Sequence, residues 1–171
     1  MTEQHGVVQK TDGGHRLSFQ RPYPTTPDDL WEAMTSPARV RRWLADLTGD
    51  LWVGGRYRLD FGGGSDPEQV TEGRIEVCEP PRSLQVTWSF GTRGDSVVEV
   101  SLTPDGATTW LSLRHSLPTD QAPGYGAGWH AYLDMLEAET GGTEIPEWDP
   151  AFMRYLPHYQ DLVASAEEPR T

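Results

Sequence analysis

Apolar and polar residues alternate through HRLSFQRPY. Leu17 and Phe19 stand between Arg16, Ser18 and Gln20, a period of two that predicts a strand. The pattern then changes. In TTPDDLWEAM, Thr26 has the chemistry of an N-cap and Pro27 suits the first helical position. Asp28 and Asp29 favour the positive end of the helix dipole. SPARVRRWLA repeats the device, with Ser36 as cap, Pro37 at the start and Val40, Trp43 and Leu44 at i, i+3, i+4 on one face. Two short helices are therefore predicted. After the turn signal Gly54-Gly55, period two returns in five runs, 56–61, 70–79, 82–90, 95–103 and 108–117. Pro80-Pro81, Gly91 to Gly94 and Pro104-Asp105-Gly106 separate the later runs as turns.

Parity assigns the faces of these strands. Tyr57, Leu59 and Phe61 oppose Arg56, Arg58 and Asp60; Leu84, Val86, Trp88 and Phe90 oppose Gln85, Thr87 and Ser89. Leu111, Leu113, His115 and Leu117 oppose Ser112, Arg114 and Ser116, so Trp110 is expected at the surface. The result is an antiparallel sheet with one covered and one wet face. The cover is a helix at about 124–140, where Trp129, Leu133 and Leu136 fall at i, i+4, i+7 beside Tyr125 and Tyr132. Gly141-Gly142 ends it. A further helix starts with Asp149 as cap and Pro150 at its first position. Phe152, Leu156 and Tyr159 give it an apolar stripe, and Pro157 is expected to kink or split it.

Composition narrows the function classes. A chain of 171 residues suits one domain with one core. The net charge of −12 argues against phosphate backbones and anionic membrane surfaces as partners. One cysteine, Cys78, permits neither an internal disulfide nor a cysteine-rich zinc site. The polar opening MTEQHGVVQKTDGG does not read as a secretory signal, and no apolar run reaches the roughly 18 residues of a membrane span. Residues 1–14 are expected to be flexible, ahead of a single cytoplasmic domain over 15–165 whose residues 145–165 form a C-terminal helical extension. Abundant Arg, Asp and Gly with scarce Lys points to a GC-rich bacterial source.

Strand, two short helices, five strands in sequence and a long helix is an α+β order. The segments PDDLW, SPARVRRWL, VGGRYRL (53–59), EGRIEVCEPPRSLQVTW (72–88), LSLRHS (111–116) and GWHAYLDMLE (128–137) follow one another within residues 15–140. In this order and spacing the chain resembles the START-like (SRPBCC) superfamily, in particular its branch named for the activator of Hsp90 ATPase (AHSA1-like). The resemblance implies a helix-grip fold, in which a curved antiparallel sheet of about six strands wraps a long C-terminal helix over a hydrophobic cavity. Members bind lipids, polyketides or hormones there, some are cyclases or dehydratases, and the co-chaperone member binds a chaperone. A small group associated with enediyne biosynthesis protects its host by being cleaved by the drug. No catalytic residue is common to the family.

On that fold, Trp43, Tyr57, Phe61, Trp88, Leu113, His115, Trp129 and Leu133 are the expected ligand-binding residues. An aromatic lining with few polar groups suits a flat or polycyclic ligand. The competing reading is plain core packing. His115 is the single catalytic candidate: it is either an acid or base at the cavity, with a hydroxyl such as that of Tyr57 nearby, or a core histidine satisfied by its neighbours. His130 and Asp134, at i, i+4, read as a solvated surface pair. The five histidines have no metal-ligand spacing, and phosphate-cradling and dinucleotide motifs are absent, so no cofactor or metal is expected. A glycine Cα–H yields a radical stabilised between nitrogen and carbonyl. Gly62, Gly63 and Gly64, Gly91, or Gly124 to Gly128 would be the cleavage positions for a diradical drug. The favoured reading is a non-catalytic binder of a hydrophobic small molecule, with sacrificial resistance next and a cyclase or dehydratase third. A chaperone partner is disfavoured because no exposed apolar patch or second domain is legible.

Overall fold

The computed structural model describes residues 5–64 and 66–169. Eight strands form one antiparallel sheet: β1 (Val7–Thr11), β2 (Gly14–Tyr23), β3 (Asp46–Gly49), β4 (Arg56–Asp60), β5 (Val70–Glu79), β6 (Ser83–Phe90), β7 (Asp95–Asp105) and β8 (Thr108–Leu117). The spatial order is β1-β2-β8-β7-β6-β5-β4-β3. Helices α1 (Pro27–Thr35) and α2 (Pro37–Trp43) follow β2, and α3 (Ala122–Gly141) and α4 (Trp148–Glu167) close the chain. This is the α+β helix-grip arrangement, with two more strands than expected.

Both extra strands are short edge elements. β1 lies in the segment expected to be flexible, of which residues 1–4 lie outside the described residues. Its pairing with β2, Val7 opposite Ser18 to Thr11 opposite Gly14, makes a hairpin. β3 pairs with β4 from Asp46 opposite Asp60 to Gly49 opposite Tyr57. Neither VVQKT nor DLTG alternates cleanly, because neither face of these edge strands is fully buried.

The inner face follows the predicted parity. Leu17 pairs with His115 and Phe19 with Leu113, while Val98 and Val100 face the same two residues from β7. The Thr26 hydroxyl accepts from Asp29 N–H at 3.2 Å and caps α1. Ser36 occupies the N-cap of α2 but makes no side-chain cap bond. Arg39 ties the two short helices to the long one, with Nη1 2.7 Å from Asp29 and Nε 3.1 Å from the buried Glu139 of α3.

α3 ends at Gly142, whose left-handed φ of 67° lets its N–H bond back to Ala138. α4 begins at Trp148, one residue before the expected cap, with Pro150 in the first turn where a missing N–H leaves no bond unmade. Pro157 does not split it, and the helix runs on to Glu167. Its buried stripe is Tyr155, Tyr159 and Val163, displaced from the predicted stripe so that only Tyr159 is common to both. Gly126 explains how closely α4 approaches α3, since a Cβ there would lie 2.5 Å from the Tyr159 ring.

Candidate functional site

Two spaces lie on the inner side of the sheet. The first is a cavity of about 90 Å³ between the sheet and α3. Every residue around it is apolar or aromatic, among them Trp43, Tyr57, Leu113 and Leu133. The second is an open groove of about 780 Å³ at the end of the sheet, beneath the first turns of α3 and α4. Phe61, Trp88 and Phe90 rise into it from the sheet, Tyr125, Trp129 and Tyr132 descend from α3, and Trp148 and Phe152 close it from α4. Leu44, Trp88 and Trp129 belong to both linings and form the wall between them.

The rings of the groove pack on one another. Trp148 stacks on Phe152 at 4.6 Å, Phe61 stands against Phe90 at 5.6 Å and Trp88 against Trp129 at 5.3 Å. The Arg93 guanidinium sits 4.7 Å over the Phe90 ring at the rim. Burial raises the pKa of the Tyr125 and Tyr132 phenols, so both remain protonated donors. Tyr125 Oη accepts from Trp88 Nε1 at 3.2 Å, which leaves its own proton to give.

His115 lies behind the wall and lines neither space. It is 0 % exposed. Trp129 Nε1 donates to its Nδ1 at 3.0 Å, and an indole nitrogen can only donate. The proton of His115 is therefore on Nε2, which donates to Ser96 Oγ at 2.7 Å. Ser96 Oγ donates in turn to the Trp88 carbonyl at 3.2 Å. Burial pushes the His115 pKa down to about 3, so the ring is neutral at physiological pH. Tyr57 donates to the Thr87 carbonyl at 2.6 Å. His115 and Tyr57 are thus both engaged in hydrogen bonds within the protein.

A second polar cluster lies on the other flank of α3, where a solvated His130–Asp134 pair was expected. That expectation is overturned. His130 is 1 % exposed, stacks on Tyr155 at 3.5 Å and bonds through Nδ1 to the Tyr159 hydroxyl at 2.8 Å. Asp134 accepts from Arg21 Nη1 at 2.5 Å and from the Tyr155 hydroxyl. Arg21 is buried on the inner face of β2, and its Nε and Nη2 find no partner among the described residues. Helical periodicity could not reveal this, because α4 is what covers that flank.

Of the expected site residues, Trp43, Tyr57, Leu113 and Leu133 thus surround the cavity, Phe61 the groove, and Trp88 and Trp129 both. Gly62, Gly63 and Gly64 are exposed beyond β4 and line neither space, whereas Gly124 and Gly128 line the groove. The α4 contribution was missed. Its signal is the spacing of Trp148 and Phe152 at i, i+4. Trp110 is 38 % exposed, as its parity requires. Among the described residues, no three His, Cys, Asp or Glu side chains are grouped to hold a metal ion, and no helix is long and apolar enough to cross a membrane.

Residues 24–141 match the family model described as activator of Hsp90 ATPase homolog 1-like protein. No curated protein matches the chain. Among solved structures, the crystal structure of CalU16 from Micromonospora echinospora is 29% identical, with a TM-score of 0.75 over 96% of this chain and 99% of that one. DynU16, a protein of the dynemicin biosynthetic locus, is 26% identical with a TM-score of 0.68, over 77% of this chain and 49% of that one. EF2215 from Enterococcus faecalis, at 19% identity and a TM-score of 0.77, shares the fold.

Proposed function

The chain belongs to the family of activator of Hsp90 ATPase homolog 1-like proteins, and on that premise we propose that it binds a flat, hydrophobic aromatic molecule of polyketide type without turning it over. The observation that carries this reading is the groove built from aromatic side chains of the sheet, α3 and α4. Its volume of about 780 Å³ lies within the roughly 300–1,000 Å³ of small-molecule sites. The inner cavity, at about 90 Å³, is smaller than the roughly 150 Å³ that accepts benzene. The ligand therefore lies in the groove and leaves the cavity behind its wall. Tyr125 and Tyr132 supply phenol protons, so a quinone or ketone oxygen on the ring edge suits the site. The test is titration of a hydroxyanthraquinone against tryptophan fluorescence, with Trp148→Ala and Tyr132→Phe alongside wild type. Saturable quenching that weakens about tenfold in Trp148→Ala supports the reading; equal binding by all three chains refutes it.

A second reading is sacrificial resistance to an enediyne-type product. It is favoured by Gly124 and Gly128 in the groove lining and by the likeness to a protein of the dynemicin biosynthetic locus. A diradical held against the rings would take the Hα of either glycine, and dioxygen adding to the resulting Cα radical would lead to oxidative scission of the backbone there. Intact mass after treatment with a reductively activated enediyne decides it. Fragments ending at Gly124 or Gly128 support cleavage, and an unchanged mass excludes it.

A further inference from the structure

We propose that His115 is a positioning residue, which holds Trp88 and Trp129 as a fixed wall between the groove and the inner cavity. The inference rests on the groove being the ligand site. It starts from one chain of hydrogen bonds. Trp129 donates to His115, His115 to Ser96 and Ser96 to the Trp88 carbonyl, at 3.0, 2.7 and 3.2 Å. The chain begins on α3, crosses β8 and β7, and ends on β6. It therefore joins the two elements that carry the indoles of the wall.

The same histidine braces the wall by contact. Its ring meets Tyr125 at 4.7 Å, edge to face, and Tyr125 in turn receives the Trp88 indole proton at 3.2 Å. Both indole N–H groups are thus tied down, one to His115 and one to a residue packed on it. Rotation of the Trp129 indole out of the wall breaks a buried bond, where an unpaired donor is costly, and rotation of the Trp88 indole breaks a part-buried one. Both ring nitrogens of His115 are occupied, so it has none to offer a ligand.

The consequence is selection by size. With the wall fixed, a flat ring system rests against Trp88 and Trp129 and goes no deeper. With the wall released, the groove and the cavity of about 90 Å³ become one space. An amide can imitate neutral imidazole here, since its oxygen accepts and its nitrogen donates. His115→Gln therefore keeps the chain of bonds in part, and His115→Phe removes it. Ser96→Ala removes the acceptor of the His115 proton together with the link to β6, and keeps the bond between Trp129 and His115.

The experiment is hydrogen exchange of the Trp129 indole proton by NMR on the full chain, followed by titration with a hydroxyanthraquinone and with toluene. In wild type the indole proton should exchange slowly. In His115→Phe it should exchange at least tenfold faster, with hydroxyanthraquinone affinity about tenfold weaker and toluene binding gained. His115→Gln should recover hydroxyanthraquinone affinity to within about threefold of wild type, and Ser96→Ala should fall between. Equal indole exchange in wild type, His115→Phe and Ser96→Ala would overturn the proposal. Exchange that responds as expected in a protein that binds no hydroxyanthraquinone would instead refute the ligand reading and leave the positioning role standing.

Discussion

Asp134→Ala tests the buried cluster between α3, α4 and β2. The Arg21 side chain is 7% exposed and Asp134 25% exposed, and the bond between them is 2.5 Å. Removing the carboxylate leaves a guanidinium in the interior whose Nε and Nη2 already have no partner among the described residues. It also takes the acceptor from the Tyr155 hydroxyl. Breaking a buried pair from one side costs about 3–5 kcal/mol, and the partial exposure of Asp134 places this case near about 3 kcal/mol. For a chain of this size that lowers the melting temperature by about 6–12 °C. With a urea slope of about 2 kcal/mol per molar, the midpoint falls by about 1.5 M. Urea unfolding followed by tryptophan fluorescence measures it directly. Arg21→Met with Asp134→Leu, which removes both charges, should recover most of the loss. A cost below about 1 kcal/mol for Asp134→Ala is what a solvated surface pair gives, and that result would refute the buried arrangement.

Two glycines of α3 should respond to alanine with opposite signs. Gly126→Ala sets a methyl 2.5 Å from the Tyr159 ring, and the overpacking penalty of about 1–3 kcal/mol should outweigh the gain in helix propensity. Gly124→Ala meets nothing within 4 Å and should raise stability by up to about 1 kcal/mol; thermal unfolding of both variants reads the pair. Leu133→Ala, at a residue 1 % exposed beside the inner cavity, should cost about 2–5 kcal/mol by urea unfolding. Burial holds His115 and His130 at about 3 against an ordinary 6.5, so the folded chain keeps both neutral while the unfolded chain takes up protons below pH 6.5. Stability should therefore fall as pH drops from 6.5 toward 3, by up to about 1.4 kcal/mol per pH unit from His115, and His115→Gln should flatten that slope in urea midpoints.

The parity of β4 to β8 was legible because each strand lies between neighbours with one face on the core. A period of two is then the only pattern that buries Leu111, Leu113 and His115 together. The capping of α1 was legible for the same kind of reason, since Thr26 and Pro27 act within one turn. His115 shows where that legibility stops. Parity placed it inside, as it is, but could not say whether it faced open space or the Trp129 indole and Ser96 hydroxyl.

His130 and Asp134 mark the boundary more sharply. On α3 alone they occupy a flank with no apolar stripe, and a polar flank reads as surface. α4 and β2 bury it, with Tyr155, Tyr159 and Arg21 as its partners. The groove has the same origin, since Trp148 and Phe152 line one space with Phe61 and Phe90 only when the last helix folds back over the sheet. Periodicity and capping are local, set by the geometry of a few successive residues, so sequence order is enough to read the elements and their inward faces. Which face meets which, how much space is left between them and what each buried polar group bonds to depend on residues up to 153 positions apart, as with Gly6 and Tyr159. Those contacts exist only once the packed elements have excluded the water between them.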